Sequence, residues 1–175
     1  MCSASINRPF GGVKITMSVN KLYDEMSIGD HAELERVVTA NDLVVFAHAS
    51  GNLNPIHNPH LDGDGDGVNE AHVPSMWLGS LFSAVLGNVL PGIGTLYEEQ
   101  TFKFLGRASV GDTICVRVDL REKLPENRLV FDCTAFVKNG RVLVEGKARV
   151  SAPSVKVHID DLDVAGLLVQ EHRHL

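Results

Sequence analysis

The chain has 175 residues, enough for one domain with a real apolar core, and its 44% hydrophobic and 22% charged residues are those of an ordinary globular protein. A formal net charge of -6 leaves no basic stripe to neutralise phosphates, which excludes a nucleic-acid surface. Cys2, Cys115 and Cys133 are scattered and show no C-x-x-C spacing, so neither a disulfide framework nor a zinc site is expected, and a reducing cytoplasm fits best.

Taken in chain order, residues 1–20 read as a lead-in, and Met1 to Val13 lack an apolar core long enough for a signal peptide. Ser27-Ile28-Gly29-Asp30 predicts a turn, and Glu33 to Val38 a first strand. Thr39 followed by Asp42 is a capping pattern, so a helix is expected from about Asp42 to Ala49, with Leu43, Phe46 and Ala47 at core spacing. Ser50-Gly51 ends it. A long loop runs from Asn52 to Pro74, and loops of that length in a compact domain are usually functional or disordered.

Val73 to Leu90 predicts the next helix, with Ser75 at a capping position and Pro91-Gly92 as the stop. Its apolar residues fall on nearly every side, the pattern of a helix buried all round. It is too short and too interrupted by Gly79, Ser80, Ser83 and Asn88 to cross a bilayer, so no membrane span is expected. Strands follow at Thr95 to Leu105, Thr113 to Leu124, Arg128 to Lys138 and Val142 to Val150. Turns separate them at Val110-Gly111-Asp112, Pro125-Glu126-Asn127 and Asn139-Gly140. In the second of these strands Ile114, Val116, Val118 and Leu120 share one face. Residues 154–175 form an acidic tail with a short helix expected near Val164 to Glu171; lacking a sustained apolar face, the tail reads as dispensable for folding. A long apolar helix followed by an antiparallel meander is an α+β layout, with the domain proper at 21–153.

The densest functional signal is Ser50-Gly51-Asn52-Leu53-Asn54-Pro55-Ile56-His57. It resembles the S/T-G-D-x-N-P-x-H signature of the MaoC-like, (R)-specific enoyl-CoA hydratases, also described as acyl dehydratases. Met76 to Gly87, Leu90 to Tyr97 and Val110-Gly111-Asp112-Thr113 are similar to that family's central helix and following strands, and the resemblance runs from Leu22 to Pro153. It is closest to the hydratase portions of bifunctional hydratase/phosphate acyltransferase proteins, although the chain leaves no room for a second enzyme. The resemblance implies a hotdog fold, a curved antiparallel sheet wrapped around a long helix. It implies hydration of a trans-2-enoyl-CoA to a 3-hydroxyacyl-CoA by a homodimer, with no metal or redox cofactor. A non-catalytic acyl-CoA-binding module and an acyl-CoA thioesterase are the alternatives, because fold does not fix function.

The resemblance assigns roles residue by residue. His57 would transfer the proton, and Asn52, at the family's Asp position, would orient the water without supplying a base. The helix start at Ser75 and Met76, where the family has H-G-M, would hold the thioester oxygen. Asn54 and Ser80 complete the expected substrate-binding set. Each has a plainer reading. Asn52, Asn54 and His57 could only fold the loop, Ser75 could only cap the helix, and Ser80 could only be a small packing residue. Among Glu98, Glu99 and Gln100, alternation turns one side chain inward, with a rim or dimer contact as the plainer role. Asp62-Gly63-Asp64-Gly65-Asp66-Gly67 imitates half of a calcium loop, but its twelfth position is Val73 rather than Glu, and an acidic turn is expected there. His48 and His72 read as lone, packed or surface histidines.

Overall fold

The computed structural model describes residues 14–15, 18–67, 70–138, 140–159 and 162–163. In chain order the elements are β1 (Lys14–Ile15), β2 (Ser18–Val19), β3 (His31–Val37), α1 (Ala40–Ser50), α2 (Ser75–Asn88), β4 (Leu96–Phe104), β5 (Thr113–Leu124), β6 (Arg128–Val137), β7 (Val142–Ser151), β8 (His158–Ile159) and β9 (Leu162–Asp163). Short 3-10 turns occupy Tyr23–Glu25 and Pro55–His57. The main sheet is antiparallel, in the order β3-β5-β6-β7-β4, and α2 lies across one face.

Alternation sets which face of that sheet is dry. Ile114, Val116, Val118 and Leu120 of β5 face Val137, Ala135, Cys133 and Phe131 of β6 across the register, all buried. Leu78, Leu81, Phe82, Val85 and Leu86 of α2 close on that layer. Burial of each such large side chain stabilises the fold by about 1.5–3 kcal/mol. At Gly79 the helix comes so close to β4 that a Cβ would lie 2.9 Å from the Phe102 ring. That ring packs 5.7 Å from Phe82.

The opposite face carries charge. Arg117 reaches Glu33 at 2.7 Å and Asp119 at 2.6 Å, and Arg121 reaches Asp132 at 2.7 Å. The Arg117 hydrogen bond holds the Asp119 carboxyl below its ordinary value, against the opposing effect of burial. An open groove of about 480 Å³ lies among these side chains, lined by Lys103, Asp119, Arg121, Asp132, Glu145 and Lys147.

Helix α2 is not buried all round. Met76, Ser80 and Ser83 are exposed, Gly87 is half-buried, and their spacing puts them on one stripe. One curved sheet covers only one side of a helix, so the sequence's all-round apolar pattern leaves a side uncovered. Ser75 is also not the cap. Pro74 holds that position with no side-chain hydrogen bond, and Ser75 is the first helical residue.

Helix α1 follows its sequence pattern. Thr39 and Asp42 form a reciprocal capping box, and Gly51 ends the helix at φ 71°, a conformation that favours glycine. The first and last described strands meet, with β1 pairing with β9 and β2 with β8. Asn20, 1% exposed, donates through its side chain to the carbonyls of Ile93 (2.9 Å) and Val155 (2.8 Å) and accepts from Val157 N–H (2.9 Å). The helix expected near Val164 to Glu171 and the tip Asn139 lie outside the described residues.

Candidate active site

The loop after α1 is built by successive asparagines. Asn52 Oδ1 accepts from Asn54 N–H at 3.2 Å, and Asn54 Oδ1 accepts from Ile56 N–H at 3.4 Å. Pro55 then starts a 3-10 turn with its φ already set, and His57 N–H closes the turn on the Asn54 carbonyl at 3.0 Å. Asn52 and Asn54 thus do fold the loop, as the plainer reading held. This occupies one carbonyl oxygen of each and leaves their exposed amide N–H groups to solvent.

His57 is held from the other end of the long loop. Its Nδ1 lies 2.7 Å from the main-chain carbonyl oxygen of His72. A carbonyl only accepts, so the Nδ1 carries the proton, and in the neutral ring Nε2 is left as the acceptor. The clamp is reciprocal, because His72 N–H donates to the Ile56 carbonyl at 2.9 Å. His72 in turn bridges to Ser109, and Val73 N–H donates to Ala108 carbonyl at 2.8 Å. The imidazole is therefore referenced to the start of α2 and to the chain between β4 and β5, and not to its own loop alone.

Helix α2 starts two residues after Val73. Pro74 has no N–H, and the N–H groups of Ser75 and Met76 have no partner among the described residues. Both residues are exposed, Met76 to 57%. Ser80 lies one turn on, also exposed, with its hydroxyl donating to the Trp77 carbonyl at 2.7 Å. Among the described residues no hydrogen bond joins Ser75, Met76 or Ser80 to Asn52 or His57. None of these, nor Asn54, borders the groove on the charged face.

Other titratable groups are placed away from this work. Glu98 pairs with Arg128 and Arg149, each at 3.1 Å, which holds its carboxyl below the ordinary range, the Arg128 hydrogen bond being the larger cause. Glu99 pairs with Arg149 at 2.8 Å. Gln100 is the inward member of that trio, its Oε1 buried. Burial pushes the Cys133 thiol up to about 12 and the Tyr97 phenol well above its usual value, so both stay protonated at neutral pH. Asp62, Asp64 and Asp66 bring carboxylate oxygens within 4.8 Å of one another, all exposed. Asp62 accepts from Gly65 N–H (2.8 Å) and Gly67 N–H (3.0 Å), the local turn the sequence predicts.

The sequence pattern did not reveal His72. Its contribution is a main-chain carbonyl, which any residue offers, so no residue type could have marked it.

No family model matches the chain. It is 34% identical to a 3-hydroxybutyryl-CoA dehydratase of Methylorubrum extorquens over 75% of the chain and 83% of that protein. It is 30% identical to an (R)-specific enoyl-CoA hydratase of Rhodospirillum rubrum over 75% of the chain and 92% of that protein. Its structure is similar to that of the unliganded R-hydratase PhaJ1 from Pseudomonas aeruginosa, with a TM-score of 0.77 at 33% identity, covering 82% of this chain and 93% of the other. Together with an antiparallel sheet laid over one helix and the Asn54-Pro55-Ile56-His57 loop clamped at its start, these likenesses place the chain in the MaoC-like (R)-specific enoyl-CoA hydratase family of hotdog-fold enzymes.

Proposed function

We propose that the chain adds water across the C2–C3 double bond of a trans-2-enoyl-CoA, giving a 3-hydroxyacyl-CoA, and runs the reverse dehydration through the same groups. The observation that carries this reading is the His57 ring, whose Nδ1 is committed to the His72 carbonyl and whose Nε2 is free to act as base. His57 Nε2 takes a proton from water as the oxygen bonds to C3. Electrons of the double bond move through C2 onto the thioester oxygen, and the Ser75 and Met76 N–H groups at the α2 N-terminus hold that charge. The imidazolium then returns the proton to C2, so one water is added and nothing else is consumed.

Asn52 positions the water through its amide and supplies no basicity. Asn54 shapes the loop and Ser80 lines the acyl side. No metal or cofactor takes part. A second copy of the chain would cover the Met76, Ser80 and Ser83 stripe and the β4 edge, where Leu96 is 68% and Phe104 40% exposed. Neither Cys115 nor Cys133 is joined in a disulfide, which supports a reducing, cytoplasmic setting. No described helix is long and apolar enough to cross a membrane.

The test is loss of enoyl absorbance on crotonyl-CoA. Turnover by the native chain that vanishes in His57→Ala supports the reading. Retained thioester binding without turnover transfers it to a non-catalytic module, and release of free thiol to a thioesterase.

A further inference from the structure

Among the residues whose side chains are described, the basic groups of this acidic protein are nearly all engaged. Among the described residues, Lys21, Arg36, Arg117, Arg121, Arg128, Lys138, Arg141, Lys147, Arg149 and Lys156 pair with carboxylates. Lys123 donates to the carbonyls of Tyr23 and Met26. Of the basic residues whose side chains are described, Lys103 and Arg107 remain. Lys103 stands across the sheet from Glu145 and borders the mixed-charge groove on the outer face of the sheet, away from the loop that carries His57. Arg107 is different. It is exposed and has no carboxylate or carbonyl partner among the described residues.

Its place in the fold is specific. The bridge between His72 and Ser109, with Val73 N–H on the Ala108 carbonyl, ties the residue next to Arg107 to the short segment that leads from His72 into α2. Arg107 therefore stands beside the segment that clamps His57 and leads into α2. A free guanidinium at that position, on a chain of net charge -6, is a local positive field where the overall field repels anions.

We propose that Arg107 binds a phosphate of the pantetheine-phosphate carrier on which the acyl thioester arrives. The proposal rests on the hydratase reading for the identity of the thioester. Guanidinium suits the role because it is always charged and grips phosphate oxygens with paired N–H donors. It contributes to carrier binding and not to the chemical step, so its removal acts on KM and not on kcat.

The experiment uses the full chain, Arg107→Ala, Arg107→Lys and, as a charge control, Lys103→Ala. Coenzyme A is titrated into each by calorimetry. Initial rates are measured on crotonyl-CoA, on crotonyl-4′-phosphopantetheine and on the phosphate-free crotonyl N-acetylcysteamine thioester. Arg107→Ala is expected to weaken coenzyme A binding and raise KM for crotonyl-CoA by about fivefold to tenfold, the size of one charge-assisted contact. Its kcat, and its kcat/KM on the phosphate-free thioester, should match the native chain. Lys103→Ala should match the native chain throughout, and Arg107→Lys should recover part of the loss. A defect with both CoA and phosphopantetheine thioesters assigns the contact to the 4′-phosphate; a defect with CoA alone assigns it to the nucleotide phosphates. An equal defect on all three thioesters, or none on any, overturns the proposal, as does native coenzyme A binding in Arg107→Ala. Arg107-dependent coenzyme A binding without turnover by the native chain would sink the hydratase reading and leave this one standing.

Discussion

His57 has one ring nitrogen committed and one open, and that asymmetry is what the proposed chemistry uses. Replacing it should lower kcat on crotonyl-CoA by about 10²–10⁴-fold, the usual span of general acid–base catalysis. Asn52→Asp keeps the shape and the acceptor for Asn54 N–H, so the loop should survive the change. The new carboxylate adds a second base for water and steadies the imidazolium by charge attraction, so the steady-state rate should rise by about tenfold. If Asn52→Asp lowers the rate while His57→Ala leaves it unchanged, the chemistry occurs elsewhere. The candidate site was legible as a loop because Asn, Pro and His occupy characteristic positions in a short stretch. The His72 carbonyl was not, since a main-chain atom carries no residue signature, whereas the helix start at Ser75 and Met76 was expected through the family resemblance. Cys133 gives a separate check at this scale. With its thiol pushed up to about 12 by burial, it should resist a thiol reagent at pH 8 in the folded protein and react fully in denaturant, as read by mass spectrometry.

Helix α1 depends on Asp42, which is 4% exposed, caps the helix at Thr39 and pairs with Arg36. Asp42→Ala removes the cap and strips a half-buried guanidinium of its counter-charge, and should cost about 2–4 kcal/mol in urea unfolding. On the sheet, Asp119 is held below its ordinary value of 3.8 chiefly by the Arg117 hydrogen bond. A depressed carboxyl contributes stability above its unfolded value and loses it as pH falls through the folded one. Native stability should therefore decline in that acid window, and Asp119→Asn should flatten part of the decline. Strand faces were legible because the period of two is local; Ile114, Val116, Val118 and Leu120 are buried as their alternation requires. The pairing of β4 beside β7 was not; it brings the backbone so close at Gly146 that a Cβ would run into the Thr101 carbonyl. That contact joins strands far apart in the chain.

Among the described residues, one side of α2 and the outer edge of β4 are left uncovered. A second copy pairing there would remove both, and sedimentation at micromolar concentration should show a dimer; a stable monomer would refute this. The two ends of the chain also meet through Asn20, whose side chain serves Val155 and Val157. Truncation after Pro153 should leave a folded domain but free those buried polar groups, lowering the melting temperature by about 5–10 °C, the effect of one or two lost hydrogen bonds in a domain of this size. An unchanged melting temperature would show that the tail contributes nothing.

By itself the sequence, which did not mark the short strands β1, β2, β8 and β9, determined the order of the elements from β3 to β7, the helix cap at Thr39, the stop at Gly51, the dry face of the sheet and the loop that carries His57. All of these rest on local periodicity or on the conformational preferences of single residues. Tertiary structure alone decided that α2 is open along Met76, Ser80 and Ser83, and that Pro74 rather than Ser75 stands at its cap. It also decided which ring nitrogen of His57 is free and that Ala108 and Ser109, beside Arg107, join the segment leading into α2. These follow from contacts between segments distant in sequence, whose register a one-dimensional pattern does not encode.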